Sequence, residues 1–243
     1  MTKTAIVIPA RYGSSRLEGK PIIKVEGKPI IQWVYEKAQQ AKLADMIIVA
    51  TDDERIFDAV KAFGGNVEMT STEHKCGSDR IKEVVMRHPE ISYIVNLQGD
   101  EPLIKPESID EVIKNIKEVD NADISTLIRI LHDENEIQNP NLVKCVIDNF
   151  GFALYFSRSK IPFERNVGKA DFYGHLGIYG YKREALIKMT ELPQSVCEQA
   201  ESLEQLRALQ NGMRIKTSVV DFVPVGIDTA EDLEKFKNII SAG

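Results

Sequence analysis

In the first half of the chain, short apolar runs alternate with amphipathic stretches, which is how a parallel sheet covered by helices on both faces is written in sequence. Residues 5–8, 46–50, 67–69 and 93–97 read as strands, with helices over 30–41, 54–63 and 78–88. Each helix carries one apolar stripe. In the second, Ile56, Phe57, Val60 and Phe63 recur at helical spacing, and Gly64-Gly65 supplies the left-handed stop that such a helix needs. A further helix carries Ile109, Val112, Ile113, Ile116 and Val119. Beyond residue 120 the pattern changes, and 123–130, 143–148 and 153–157 read as consecutive strands of an antiparallel extension. The polar stretch 162–174 has no clear period and is either a mobile loop or an arm completed by a partner subunit. The last helix begins at Asp228-Thr229, where Thr229 and Asp232 make a capping box ahead of Leu233, Phe236 and Ile239-Ile240.

A chain of 243 residues, 43% of them apolar, can bury a substantial core. The reading is one domain over residues 1–243, with the extension and arm at about 120–180. The formal net charge of -6 argues against nucleic acid as a partner, because phosphate backbones need a basic face. An anionic substrate must instead meet a local basic pocket. The first nine residues hold one lysine, a short apolar run and a proline, too little for a signal or membrane-spanning segment, so a cytoplasmic chain with no membrane partner is expected. Cys76, Cys145 and Cys197 are widely separated and read as reduced, packed thiols. His74, His88, His132 and His175 lack metal-site spacing, so oxygen ligands should hold any metal.

The segment after the first strand runs Pro9-Ala10-Arg11-Tyr12-Gly13-Ser14-Ser15-Arg16-Leu17-Glu18-Gly19-Lys20-Pro21. Gly13, Ser14 and Ser15 let backbone N–H groups approach an anion, while Arg11, Arg16 and Lys20 offer charge to phosphate oxygens. Neither the P-loop nor the Rossmann glycine fingerprint can be read here. Composition alone leaves a solvated turn about as good a reading as a phosphate cradle. Position favours the cradle, because ligands of open α/β sheets bind beyond the carboxyl ends of strands. A second strand runs into Gln98-Gly99-Asp100-Glu101-Pro102 and delivers Asp100 to the same edge. Magnesium takes one or two protein carboxylates with phosphate and water, which suits Asp100 with Asp228 as the second acid. The bland alternatives are a turn residue before proline for Asp100 and a helix cap for Asp228.

Together, Ile8-Pro9-Ala10-Arg11, Ser15-Arg16-Leu17, Gly19-Lys20-Pro21, the Gln98 to Pro102 turn and Gly226-Ile227-Asp228-Thr229 resemble the 3-deoxy-manno-octulosonate cytidylyltransferases, or CMP-Kdo synthetases. Ala153-Leu154-Tyr155-Phe156-Ser157-Arg158, His175-Leu176-Gly177-Ile178-Tyr179-Gly180-Tyr181 and Ser202-Leu203-Glu204-Gln205-Leu206-Arg207 extend the likeness over nearly the whole chain and point to an octulosonate substrate. The resemblance implies a Rossmann-like α/β mixed sheet flanked by helices, of nucleotide-diphospho-sugar transferase type. It also implies a smaller antiparallel extension used in homodimerisation, the cofactor Mg2+, and CTP with a 2-keto-3-deoxy sugar acid as substrates.

Residue by residue, it implies a nucleotide site of Pro9, Ala10, Arg11, Gly13, Ser14, Ser15, Arg16, Lys20, Ser78 and Arg80. Arg11 and Lys20 would meet the triphosphate, Asp100 and Asp228 the metal, and Ser78 with Arg80 the cytosine. Gln98, Arg158, Arg165, His175, Tyr179, Glu204 and Gln205 would meet the sugar acid. Plainer readings stand beside these: a packed Tyr179, a structural His175, an ordinary helix-surface pair of Glu204 with Arg207, and a solvated Arg80. Two departures matter, since Glu18 stands where the family usually has proline and Cys76-Gly77-Ser78 replaces Ser-Gly-Thr. Competing functions are CMP activation of an 8-amino octulosonate or a nine-carbon acid, and a non-catalytic CTP-binding module motivated by Glu18.

Overall fold

The structure, a computed structural model, describes residues 2–13, 17–223 and 225–242. The chain divides into two compact units, residues 1–110 with 224–243, and residues 111–223.

In the first unit, β1 (Lys3–Ala10) is central, with β4 (Met46–Thr51) and β5 (Val67–Met69) on one side and β6 (Ile91–Asn96) on the other, all parallel. A two-strand ribbon, β2 (Lys24–Val25) with β3 (Lys28–Pro29), leads into α1 (Ile30–Ala38). The other connections are α2 (Glu54–Ala62) and α3 (Gly77–Arg87), and α4 (Pro106–Glu118) follows β6 across the boundary between the units. Residues 5–8 of β1 are wholly buried, as a strand covered on both faces must be. The helix stop read at Gly64-Gly65 is a full Schellman closure: Gly65 N–H donates to Val60 O and Gly64 N–H to Lys61 O, with Gly64 at φ +79°.

In the second unit, β7 (Ile124–Leu131) is followed by a short α5 (Glu134–Gln138), β8 (Lys144–Ile147), β9 (Ala153–Ser157) and β10 (Phe172–Lys182). β10 pairs antiparallel with β7 and with β8, and β8 pairs antiparallel with β9, which is the expected extension. Then come α6 (Arg183–Glu191), α7 (Val196–Glu201), α8 (Gln205–Gln210) and β11 (Ile215–Val219), the last parallel to β7. The polar 162–174 stretch ends inside β10, whose first residue is Phe172, so only part of it is irregular. Lys144 is fully buried and donates its three N–H bonds to the carbonyls of Asn139, Leu142 and Arg158, which pins the loop before β8 to the end of β9.

The chain closes on α9 (Ala230–Ala242) in the first unit. The capping box is reciprocal: Thr229 N–H donates to Asp232 Oδ2 at 3.0 Å and Asp232 N–H to Thr229 Oγ1 at 3.2 Å. Thr229 is thus the cap, and the cap reading of Asp228 gives way to a carboxylate placed one residue outside the helix. Ile227, Leu233 and Phe236 pack with Val25 and Ile30, fixing the start of this helix against the first unit.

Candidate active site

From β1 the chain moves outward through β4 and β5, then returns to β6 on the opposite side of β1. This reversal is the switch point at which open α/β sheets leave a crevice beyond the carboxyl ends of their strands. Pro9, Ala10 and Arg11 end β1 there, and Gln98, Gly99 and Asp100 follow β6. A cavity of about 370 Å³ lies between them, lined by these six with Gly13, Lys20, Pro21 and Gly77.

The charges of the cavity are arranged around Lys20. Its Nζ donates to Asp100 Oδ2 at 2.7 Å and to Asp228 Oδ1 at 3.2 Å, so two carboxylates from distant parts of the sequence converge on one point. Ile227 N–H donates to Asp100 O, which locks the segment before α9 beside the turn after β6. Glu101 does not add a third charge at neutral pH, because burial and then the neighbouring Asp100 push its carboxyl up to about 8. On the opposite wall, Arg11 Nη1 donates to Lys75 O at 3.1 Å, while its Nη2 is buried and finds no acceptor among the described residues. A buried guanidinium donor left unsatisfied beside such a cavity is suited to an anion.

Among the described residues no group of three or more His, Cys, Asp or Glu side chains is placed to hold a metal. A pair of facing carboxylates nonetheless fits magnesium, which completes its octahedron with water and phosphate oxygens.

Behind the cavity, α3 carries Ser78 and Arg80, both buried. Arg80 is no solvated charge: its Nη2 donates to Asp52 Oδ2 at 2.5 Å, and its Nη1 bonds Thr70 Oγ1.

In the second unit, His175 and Tyr179 lie side by side on β10, ring centroids 5.2 Å apart, between Phe156 and Tyr181. Thr126 Oγ1 has one proton, which goes to Ile178 O at 2.7 Å, so it accepts from His175 Nε2–H at 2.9 Å and fixes that tautomer. Burial pushes the imidazole down to about 3 and raises the Tyr179 phenol, so both are neutral at physiological pH. Arg158 is held by Glu201 O at 2.7 Å, Pro140 O at 3.2 Å and Ser202 O at 3.4 Å. Glu201 also accepts from Arg158 N–H and Ser157 Oγ–H. Gln205 is buried. Glu204 lies 3.9 Å from Arg207, but Arg207 is itself buried and forked onto Glu198 at 2.8 and 2.5 Å, so the surface-pair reading does not hold. Arg165 is exposed.

Residues 5–215 match the family model described as Cytidylyltransferase. A 3-deoxy-manno-octulosonate cytidylyltransferase of Thermodesulfovibrio yellowstonii is 50% identical over 95% of this chain and 95% of that protein. The Escherichia coli protein of the same description is 45% identical over 99% of this chain and 97% of its own. The chain belongs to the 3-deoxy-manno-octulosonate cytidylyltransferase family. It is an enzyme of the nucleotidyltransferase class. A solved structure of CMP:2-keto-3-deoxy-manno-octonic acid synthetase complexed with CTP superposes with a TM-score of 0.95 and 44% identity, covering 99% of each chain. The fold is therefore the Rossmann-like mixed sheet with a small antiparallel extension that the resemblance implied. A Leptospira borgpetersenii cytidylyltransferase, at 19% identity and a TM-score of 0.68, shares the fold.

Of the residues singled out in this cytidylyltransferase sequence, Pro9, Ala10, Arg11, Gly13, Lys20, Gln98 and Asp100 line one cavity, and Asp228 joins through Lys20. Ser14, Ser15 and Arg16 lie outside the described residues. Pro21, Gly77 and Gly99 also line the cavity. They stand inside motifs already noticed but carry no polar side chain, so a search for chemistry passes over them.

Proposed function

We propose that this enzyme joins CTP to 3-deoxy-manno-octulosonate, releasing pyrophosphate and forming CMP-Kdo for bacterial lipopolysaccharide or capsule synthesis. The observation that carries the reading is the convergence of Asp100 and Asp228 on Lys20 at the cavity of the sheet's switch point.

In the reaction, the anomeric hydroxyl of the sugar acid attacks the α-phosphate of CTP in line with the departing pyrophosphate. Catalysis is then mainly positioning and placed charge. Arg11, through its unsatisfied Nη2, and Lys20 bind and stabilise the leaving pyrophosphate. Gly13 with Ser14, Ser15 and Arg16 cradles the triphosphate, with Pro9 and Ala10 shaping the cavity wall. Ser78 and Arg80 stand on the cytosine side. Asp100 and Asp228 would hold Mg2+, which supplies charge neutralisation at the α-phosphate when bound. Lys20, held between the same two carboxylates, stands where its ammonium can also meet phosphate oxygens.

Gln98 in the first unit, and His175, Tyr179, Glu204 and Gln205 in the second, are each proposed to hydrogen-bond the sugar acid. The neutral state of His175 suits hydrogen bonding rather than carboxylate binding. Arg165 and Arg158 are the cations proposed for the sugar carboxylate, and Arg165 is the more accessible because Arg158 is already engaged by three carbonyls.

The active form is proposed to be a homodimer assembled through the antiparallel extension, with all of residues 1–243 serving as one catalytic module. Phe150, Leu154, Phe163 and Val167 support this: all four are large apolar residues at least 60% exposed. Among the described residues no helix is long and apolar enough to cross a membrane, and the proposed site of action is the cytoplasm, where CTP is made.

The test is pyrophosphate release from CTP and magnesium with 3-deoxy-manno-octulosonate, beside the 8-amino analogue, sialic acid and a no-sugar control. Release with the octulosonate is expected. Release only with another acid would correct the substrate, and binding of CTP without release from any acid would mark a non-catalytic module.

A further inference from the structure

The segment that supplies Arg11 and Lys20 has an external brace that the resemblance does not account for. Asp53, the cap of α2, accepts from Arg55 N–H at 3.0 Å and forks the same residue's guanidinium, Nε at 2.9 Å and Nη2 at 2.6 Å. So held, the guanidinium carbon lies 3.2 Å from the centroid of the Tyr12 ring.

The tyrosine is in turn locked to the far end of its own segment. Gly19 N–H donates to Tyr12 O at 2.9 Å. Gly19 sits at φ +65°, and a Cβ there would stand 3.2 Å from Tyr12 Cε2, Cζ and Oη. The next residue is Lys20, whose Nζ reaches Asp100 and Asp228.

We propose that Arg55, oriented by Asp53 and stacked on Tyr12, is a positioning residue for the triphosphate segment, holding its two ends together. Arg11 and Lys20 flank the closed Tyr12–Gly19 contact, so their separation is set before the nucleotide arrives. A guanidinium is suited to this task because it is planar, permanently charged and able to fork a carboxylate while stacking on an aromatic face. Arg55 is 57% exposed, so it contributes little to the core and can be removed without disturbing the fold.

This inference rests on CTP as the nucleotide and is tested by direct binding. Calorimetry of CTP with magnesium would be run on the wild type, Arg55→Ala and Arg55→Lys, beside steady-state kinetics and thermal melts. Arg55→Ala is expected to weaken CTP binding by about threefold to tenfold, raise the KM for CTP in parallel and leave kcat and Tm near wild type. Arg55→Lys is expected to fall between Arg55→Ala and the wild type, because an ammonium keeps the charge but cannot fork Asp53 and stack on Tyr12 together. Unchanged CTP affinity in Arg55→Ala, or a loss of Tm and kcat with KM unmoved, would overturn the brace while leaving the function intact. Failure of the wild type to bind CTP would overturn the nucleotide assignment and the brace with it.

Discussion

Single side chains carry the sharpest consequences. Asp100 is partly exposed, and its carboxylate contacts Lys20 rather than the hydrophobic core, so Asp100→Asn removes a charge without opening a cavity. Turnover is expected to fall by about 10²-fold or more, as loss of a placed charge in an active site does, while the melting temperature stays near wild type. Full activity in that variant would remove Asp100 from the mechanism. His175 gives a prediction of a different kind. Its folded pKa is about 3, against an ordinary value of 6.5, so below about pH 6.5 the unfolded chain takes up a proton that the native state refuses. The contribution to stability is complete above that pH and drains away as pH falls towards 3, at a slope of at most about 1.4 kcal/mol per pH unit. Replacing His175 with Gln keeps a donor for Thr126 and removes the titration. Urea midpoints of His175→Gln between pH 6.5 and pH 4 should therefore fall less steeply than those of the wild type, and equal slopes would assign the acid sensitivity elsewhere.

At the scale of elements, the helix ends do much of the placing. The Thr229–Asp232 box fixes where α9 begins, and its start sets Asp228 within 3.2 Å of Lys20. Thr229→Ala is expected to cost about 1 kcal/mol in a denaturant titration and to raise the metal concentration needed for half-maximal turnover, because the carboxylate loses its fixed origin. A stability loss with unchanged metal dependence would confine the cap to folding. This box was legible in the sequence, as were the Gly64-Gly65 stop and the four parallel strands, because each is written in local period and local turn chemistry. The 172–182 strand and the short α5 were not. The long strand carries Gly174, Gly177 and Gly180 and a mixture of aromatic and polar residues, and its pairing with β7 is decided by partners far away in sequence. Arg80 and Arg207 went unread as buried charges for the same reason, since Asp52 and Glu198 reach them only through the tertiary fold. The Asp100–Lys20–Asp228 cluster was half legible: the acids and the lysine each stood in a motif, but their convergence depends on β6, the segment after β1 and the start of α9 being folded together.

For the whole molecule, the issue is how an acidic chain handles two acidic substrates and how its apolar surface is covered. A formal charge of -6 repels CTP and a sugar acid at long range, so affinity must come from the few cations of the cavity and from the proposed metal, and it should weaken with salt less than for a generally basic protein. Apolar exposure is a separate problem. On β9, which pairs with β8 and is preceded by a bridge from Phe152 to Lys216 of β11, Leu154 is 60% exposed. Phe163 and Val167, in the stretch between β9 and β10, are 90% and 89% exposed. Large apolar side chains left this exposed mark a surface for a partner to cover, and a second copy related by a two-fold axis covers it in a closed way. Leu154→Asp combined with Phe163→Asp is therefore expected to convert the proposed dimer to a monomer in sedimentation equilibrium at micromolar concentration. Both side chains face solvent in the single chain, so the far-ultraviolet circular dichroism and the melting of an isolated subunit should be preserved. A wild-type chain that sediments as a monomer would show that this surface is not the dimer interface, and a double variant that remains dimeric would move the interface to another face of the molecule.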